Sequence, residues 1–192
     1  MRTPIPLRCR KIDYLIIAFF ILNLGFITYI VDAEQIIIPD PYHFEYPVWP
    51  PRPFVDMVHN YGQTLDPVLM ARPAWWRMTI WIDALFFGPF YALAIYAFIK
   101  GKEWIRLISF IWGSMLITNV LIILSEEIGG STPTPQLPLV LLLNLPWLLL
   151  PMLVMFRLGR TLHPFTEAVA EAPARVEQMA SANAGRDVAA RA

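Results

Sequence analysis

Three carboxylates sit where a carboxylate is expensive. Asp83 interrupts a run from 79 to 99 in which almost every other side chain is apolar. On insertion scales an acid at that depth costs roughly 2.5–3.5 kcal/mol, so such residues usually serve a ligand, an ion or a proton path. Asp32 closes an earlier apolar run, and Asp66 precedes Pro67 shortly before the Asp83 run begins. Taken alone, Asp32 and Asp66 equally suit acids that meet water at span ends. If the fold brings Asp83 and Asp32 together, both cannot ionise cheaply, and Asp83 is expected to carry a proton and donate it to Asp32. Asn119 lies in a third apolar run, and Asn144 and Trp147 in a fourth. The amide suits a cavity wall and the indole offers a π face to a cation. A polar kink residue beside a packing aromatic fits that pair as well.

Other chemistry is not written in the chain. His43, His59 and His163 lack metal-ligand spacing, and Cys9 is the only cysteine, so no metal site and no intramolecular disulfide are expected. There is no phosphate-cradling glycine loop and no nucleophile elbow. No cofactor and no catalytic residue are assigned.

The elements that must position these groups are membrane spans. Of 192 residues, 57% are hydrophobic and 16% charged, with a mean hydropathy of +0.51; soluble domains are nearer 25% charged. The formal net charge is +0, which gives no electrostatic case for nucleic acid. Four spans are predicted, at about 12–31, 78–99, 104–124 and 137–156, each near the 20 residues that cross the hydrocarbon. The first run is too long for a signal-peptide core and is expected to be retained. Asp13, at the charged mouth of the first span, is expected to be solvated. Ser114 and Thr118, four apart, suit a helix–helix contact in lipid. Residues 33–76 mix prolines with aromatics such as Tyr42, Phe44, Tyr46 and Trp49, which predicts a folded lid on the membrane surface rather than disorder. Positive residues cluster before the first span, between the second and third, and after the fourth, while Glu126 and Glu127 follow the third. An even number of spans with both termini cytoplasmic satisfies this distribution. The Ala-rich tail is expected to be disordered.

The residues around Asp66 and Asp83 also resemble a known family. Asp66-Pro67, Pro73-Ala74-Trp75, Asp83, Pro89-Phe90, Tyr96-Ala97-Phe98 and Trp104-Ile105-Arg106 are similar to the EXPERA family, that of emopamil-binding protein, and most of all to its sigma-two receptor branch. The resemblance runs roughly from residue 8 to 160. It implies an all-α membrane protein, a four-helix bundle with a folded loop between helices 1 and 2. Residues 1–160 would form that domain and 161–192 a cytoplasmic tail.

Two functions follow from the resemblance. The first is a binding protein for a sterol or cationic amphiphile, in sterol homeostasis or trafficking, with an endoplasmic reticulum address in a eukaryote. Its ligand site would comprise Asp32, Asp66, Asp83, Thr28, Asn119, Asn144 and Trp147, one acid meeting the ligand's ammonium and another orienting it. Asp83 stands where the family usually has Glu, one methylene longer. The alternative is a sterol Δ8-Δ7 isomerase, whose last-span pattern Asn144 and Trp147 resemble. The isomerase pattern places a His four residues before its first-span acid; that position is Thr28 here, a poor proton donor, so isomerase activity is not expected. The partners implied are the ligand and membrane lipid, with no nucleic acid, and a homodimer is an allowed state.

Overall fold

Continuous apolar sequence produces long helices here, and prolines mark the start of two of them, at Pro73 and Pro138. The computed structural model describes residues 2–168. Helix α1 spans Lys11–Ile37. A lid follows, with α2 at Arg52–Thr64 and α3 at Pro67–Ala71. Helices α4 (Ala74–Lys100), α5 (Ile105–Gly129) and α6 (Leu137–Gly159) complete the chain of helices. The four long ones have 23 to 27 residues, about 35–40 Å against a hydrocarbon core of about 30 Å. They make this a multi-pass membrane protein. Helix α4 starts four residues earlier than predicted because Pro73 stands at its N-cap. Helix α5 runs past the predicted end and carries Glu126 and Glu127 in its last turns. There Glu126 ties down the following turn, accepting from the Thr132 N–H at 2.7 Å and from Ser131 Oγ at 2.9 Å.

Two of the spans widen into π-helical turns, at Asn23–Asp32 in α1 and Asp83–Phe87 in α4. The Gly88 N–H reaches back five residues to the Asp83 carbonyl. Such turns re-aim side chains and recur at functional sites. The two face each other, and Gly88 is what allows it: a Cβ there would lie 3.0 Å from Thr28 Cγ2 and 3.3 Å from the Tyr29 hydroxyl. The Gly88-Pro89 step thus marks a close helix approach.

The halves of the bundle differ. Towards the chain termini it is filled by rings: Phe20 is fully buried with Phe90, Phe98 and Trp112 edge-on at 5.7, 5.6 and 5.4 Å, and Phe90 stacks on Trp112 at 4.7 Å. Towards the lid the helices enclose a cavity. The lid itself is folded. In α2 the buried positions Val55, Val58, His59 and Gly62 form one helical stripe. A Cβ on Gly62 would lie 2.8 Å from Met70, so the lid helices pack in direct contact.

Three expectations need correction at the terminal end and in α5. Asp13 is not solvated: it is fully buried, paired with Arg10 and, at 3.1 Å, with Arg157. An acid in the first turn of a helix also favours that end. The tail does not begin at 160. Thr166–Ala168 (β2) pairs antiparallel with Arg2–Pro4 (β1), and Phe165 is fully buried, with the Arg10 and Arg157 guanidiniums 5.0 and 5.6 Å from its ring centre. The expected disorder from 169 to 192 lies outside the described residues. Ser114 and Thr118 make no helix–helix contact. Both are exposed and return their hydroxyls to the Phe110 and Ser114 carbonyls of their own helix. The small residue that admits α6 is Gly113, where a Cβ would meet Met155 Sδ at 2.8 Å.

Candidate functional site

The cavity measures about 420 Å³ and lies between α1, α2, α4, α5 and α6. Ligand pockets generally fall in the range of about 300–1,000 Å³. Its wall is mostly apolar, with Phe26, Val31, Val58, Leu69, Ile80, Phe87, Leu116 and Val120 among the lining residues. Asp32, Asp66, Asp83, Asn119, Asn144 and Trp147 line it too. Residues far apart in sequence therefore converge on one space.

Asp32 and Asp83 meet inside it. The π turns bring their carboxyls within hydrogen-bonding reach of each other, and Asp32 is 6% exposed. Two carboxyls in contact at low dielectric retain a proton between them. No Arg, Lys or His of the described residues lines the cavity, so the remaining negative charge has no cation partner among them. Thr28 is the one sequence candidate that does not reach the wall. It is fully buried, and its hydroxyl donates to Asp83 Oδ1. It therefore holds Asp83 from behind the cavity wall. That donor also alters the expected division of labour, in which Asp83 alone carries the proton. A hydroxyl given to Asp83 favours charge there, so the two acids act as one unit with one shared proton.

The opposite wall is set by amides and indoles. Trp147 Nε1 donates to Asn23 Oδ1 at 2.8 Å, and Asn23 Nδ2 donates to the Phe19 carbonyl at 2.7 Å. This fixes the ring of Trp147 while leaving it on the cavity wall. Asn144 Nδ2 returns to the Val140 carbonyl at 3.0 Å, which leaves its oxygen uncommitted. Trp76 Nε1 donates to Gln35 Oε1 at 2.6 Å, also at the wall.

The family model of EXPERA, the expanded EBP superfamily, matches residues 53–158. The chain belongs to the EXPERA family. Among curated proteins it is similar to "Sigma intracellular receptor 2" of Xenopus tropicalis, 26% identical over 126 residues, 65% of this chain and 68% of that protein. The human protein of the same name is 28% identical over 127 residues, 65% of this chain and 66% of that protein. The macaque one, from Macaca fascicularis, is 28% identical over 123 residues, 63% and 65% of the two chains. The match thus spans about two thirds of each relative.

Sequence reasoning missed two polar clusters of this EXPERA protein. The first joins the lid to α1. Glu34 is fully buried, takes Arg72 Nη2 at 2.8 and 3.0 Å on its two oxygens, and meets His59 Nε2 at 2.8 Å. Arg72 also donates to the Leu69 and Ile38 carbonyls. This network holds Arg72 in the left-handed region at φ 44°, which costs a non-glycine residue about 1–2 kcal/mol.

The second cluster is at the lid end of the cavity. Asp66 caps α3, accepting from the Leu69 N–H at 3.4 Å, and its carboxyl also contacts that of Glu127. Glu127 is 1% exposed. Burial raises the Asp66 pKa above its ordinary 3.8, only partly countered by the Glu127 and Leu69 hydrogen bonds. Tyr61, on the cavity wall, is pushed up to about 12 by burial and by the charges of Asp66 and Glu127. Two adjacent glutamates at a span end read as loop acids. Which of them turns inward depends on the phase of α5, and the last turns of that helix lie beyond the apolar run that sets the phase.

Proposed function

We propose that this EXPERA protein binds a cationic amphiphile or sterol in the cavity, as a receptor-like protein rather than an enzyme. The observation that carries the reading is the Asp32–Asp83 pair in an apolar cavity that supplies no cation of its own. An incoming ammonium would complete the pair. Charge would be drawn to Asp32 as the shared proton moves onto Asp83, and Thr28 would keep Asp83 in place. The Trp147 ring, fixed by Asn23, would offer its face across the cavity. Asn119 and Asn144 would meet polar groups of the ligand. The isomerase reading lacks support from the site: no histidine lines the cavity, and the Thr28 hydroxyl is committed to Asp83.

Similarity to receptors named as intracellular favours the endoplasmic reticulum membrane and a role in sterol homeostasis or trafficking. The basic end would face the cytoplasm and the lid the opposite side. Cys9 is exposed at the basic end. A membrane-impermeant thiol reagent should reach it from the cytoplasmic side and should reach Ser131→Cys, in a Cys9→Ser background, from the other. Labelling of both from one side would refute this orientation.

Affinity measurements test the site. Asp32→Asn should weaken binding of a monoamine amphiphile by about 2–3 kcal/mol, on the order of a hundredfold. The remaining acid, Asp83, is then already saturated by Thr28 and the new amide. Asp83→Asn should cost less than about tenfold, because its amide still donates to a charged Asp32. Unchanged binding by Asp32→Asn would remove the cation site from this cavity.

A further inference from the structure

We infer that the Asp66–Glu127 pair is a second cation site at the lid end of the same cavity, and that the natural ligand carries a basic nitrogen at each end of an apolar body. This rests on the reading of Asp32–Asp83 as the first cation site. Both sites have the same chemistry: two carboxyls in contact, with Asp32 buried in one pair and Asp66 and Glu127 in the other, and no Arg, Lys or His of the described residues on the cavity wall. They are separate sites: Asp32 and Asp83 lie in the π turns of α1 and α4, whereas Asp66 caps α3 and Glu127 lies in the last turns of α5.

The donors at the lid end fall short. Neither oxygen of the buried Glu127 meets an N–H or O–H of the described residues. The polar group it does meet is the Asp66 carboxyl, itself an acceptor unless it holds a proton. Asp66 in turn receives one long bond from Leu69. One shared proton and one N–H serve four carboxyl oxygens, so a buried negative charge is left without a partner, a costly arrangement unless something else supplies one. Asp66 and Tyr61 open this cluster to the cavity. Val58, Leu69, Leu116 and Val120 provide an apolar middle. A ligand charged at one end only would leave the lid-end carboxyls facing a methyl group. A second ammonium would donate to the carboxyl oxygens and satisfy them.

The test compares α,ω-diaminoalkanes with n-alkylamines of matched length, titrated calorimetrically against the full chain in lipid nanodiscs at neutral pH. At the length that fits the cavity, the diamine should bind on the order of tenfold more tightly, as expected when a second contact is made within one complex. Glu127→Gln and Asp66→Asn should each bring the diamine-to-monoamine ratio close to one. Should Glu127→Gln fail to fold, Asp66→Asn carries the comparison, because asparagine is as good a helix cap as aspartate. A diamine with no advantage at any length overturns the second site, as does an advantage that survives both substitutions. Failure of the first site is distinct: monoamine binding would then be absent or indifferent to Asp32→Asn.

Discussion

Asp13 and Asp32 stand at opposite ends of α1, and both are buried acids, yet they do opposite things. Asp13 meets Arg10 and Arg157, and Phe165 lies against both guanidiniums. The single carboxylate there is met by two guanidiniums, whose other N–H groups go to the Ile5, Phe98 and Pro164 carbonyls. Asp32 meets a second acid and an empty apolar space. The difference is in what surrounds the carboxyl rather than in depth or burial. An acid with protein cations around it closes a structure. An acid with none among the described residues is left without an internal counter-charge.

The comparison predicts opposite effects of the same substitution. Asp13→Asn leaves the buried Arg10 and the half-buried Arg157 facing a neutral amide and loosens α1 from α6. Breaking a buried ion pair from one side costs about 3–5 kcal/mol, so the melting temperature in detergent should drop by several degrees or more. A variant as stable as the parent would show that the cluster is solvated after all. Asp32→Asn should leave the melting temperature unchanged or raise it, because it relieves a contact between two carboxyls that lack a cation partner among the described residues. A drop like that of Asp13→Asn would mean that Asp32 has a structural partner.

The same contrast explains how much could be read from the chain. Spans are legible because the hydrocarbon sets a length of about 20 residues, and a run of apolar side chains fulfils it without reference to anything distant. The candidate residues Asp32, Asp66, Asp83, Asn119, Asn144 and Trp147 were legible as polar exceptions in such runs or beside them. Their partners were not. Arg157 finds Asp13 across 144 positions and Trp147 finds Asn23 across 124; no local pattern encodes either pairing. Thr28 was picked out by its place in a motif, but its role depends on the π turn that aims it at Asp83. Phe165 looked like tail because an isolated aromatic after the last span carries no periodicity. Its burial depends on Arg10, Phe98 and Gly101, which the fold alone brings to it.

The smallest effect sharpens the comparison within the lid, where Asp66 combines both behaviours. It is a structural cap for α3 and half of an uncompensated carboxyl pair. Its pKa is raised by burial, so the folded protein holds this proton at pH values where the unfolded chain has released it. The folded state then binds more protons than the unfolded one, and this contribution to stability is greatest at low pH and declines as pH rises above the ordinary value of 3.8. Asp66→Asn keeps the cap and removes the titration. The stability of the parent should therefore fall relative to that of Asp66→Asn as pH is raised from the acid side, by about 1.4 kcal/mol for each unit the folded pKa is raised, and the melting temperatures should diverge accordingly. Parallel melting profiles across that range would mean that Asp66 ionises as freely in the folded protein as in the unfolded chain. The lid-end acids would then be solvated like a surface pair, and the contrast with Asp13 would narrow to Asp32 and Asp83.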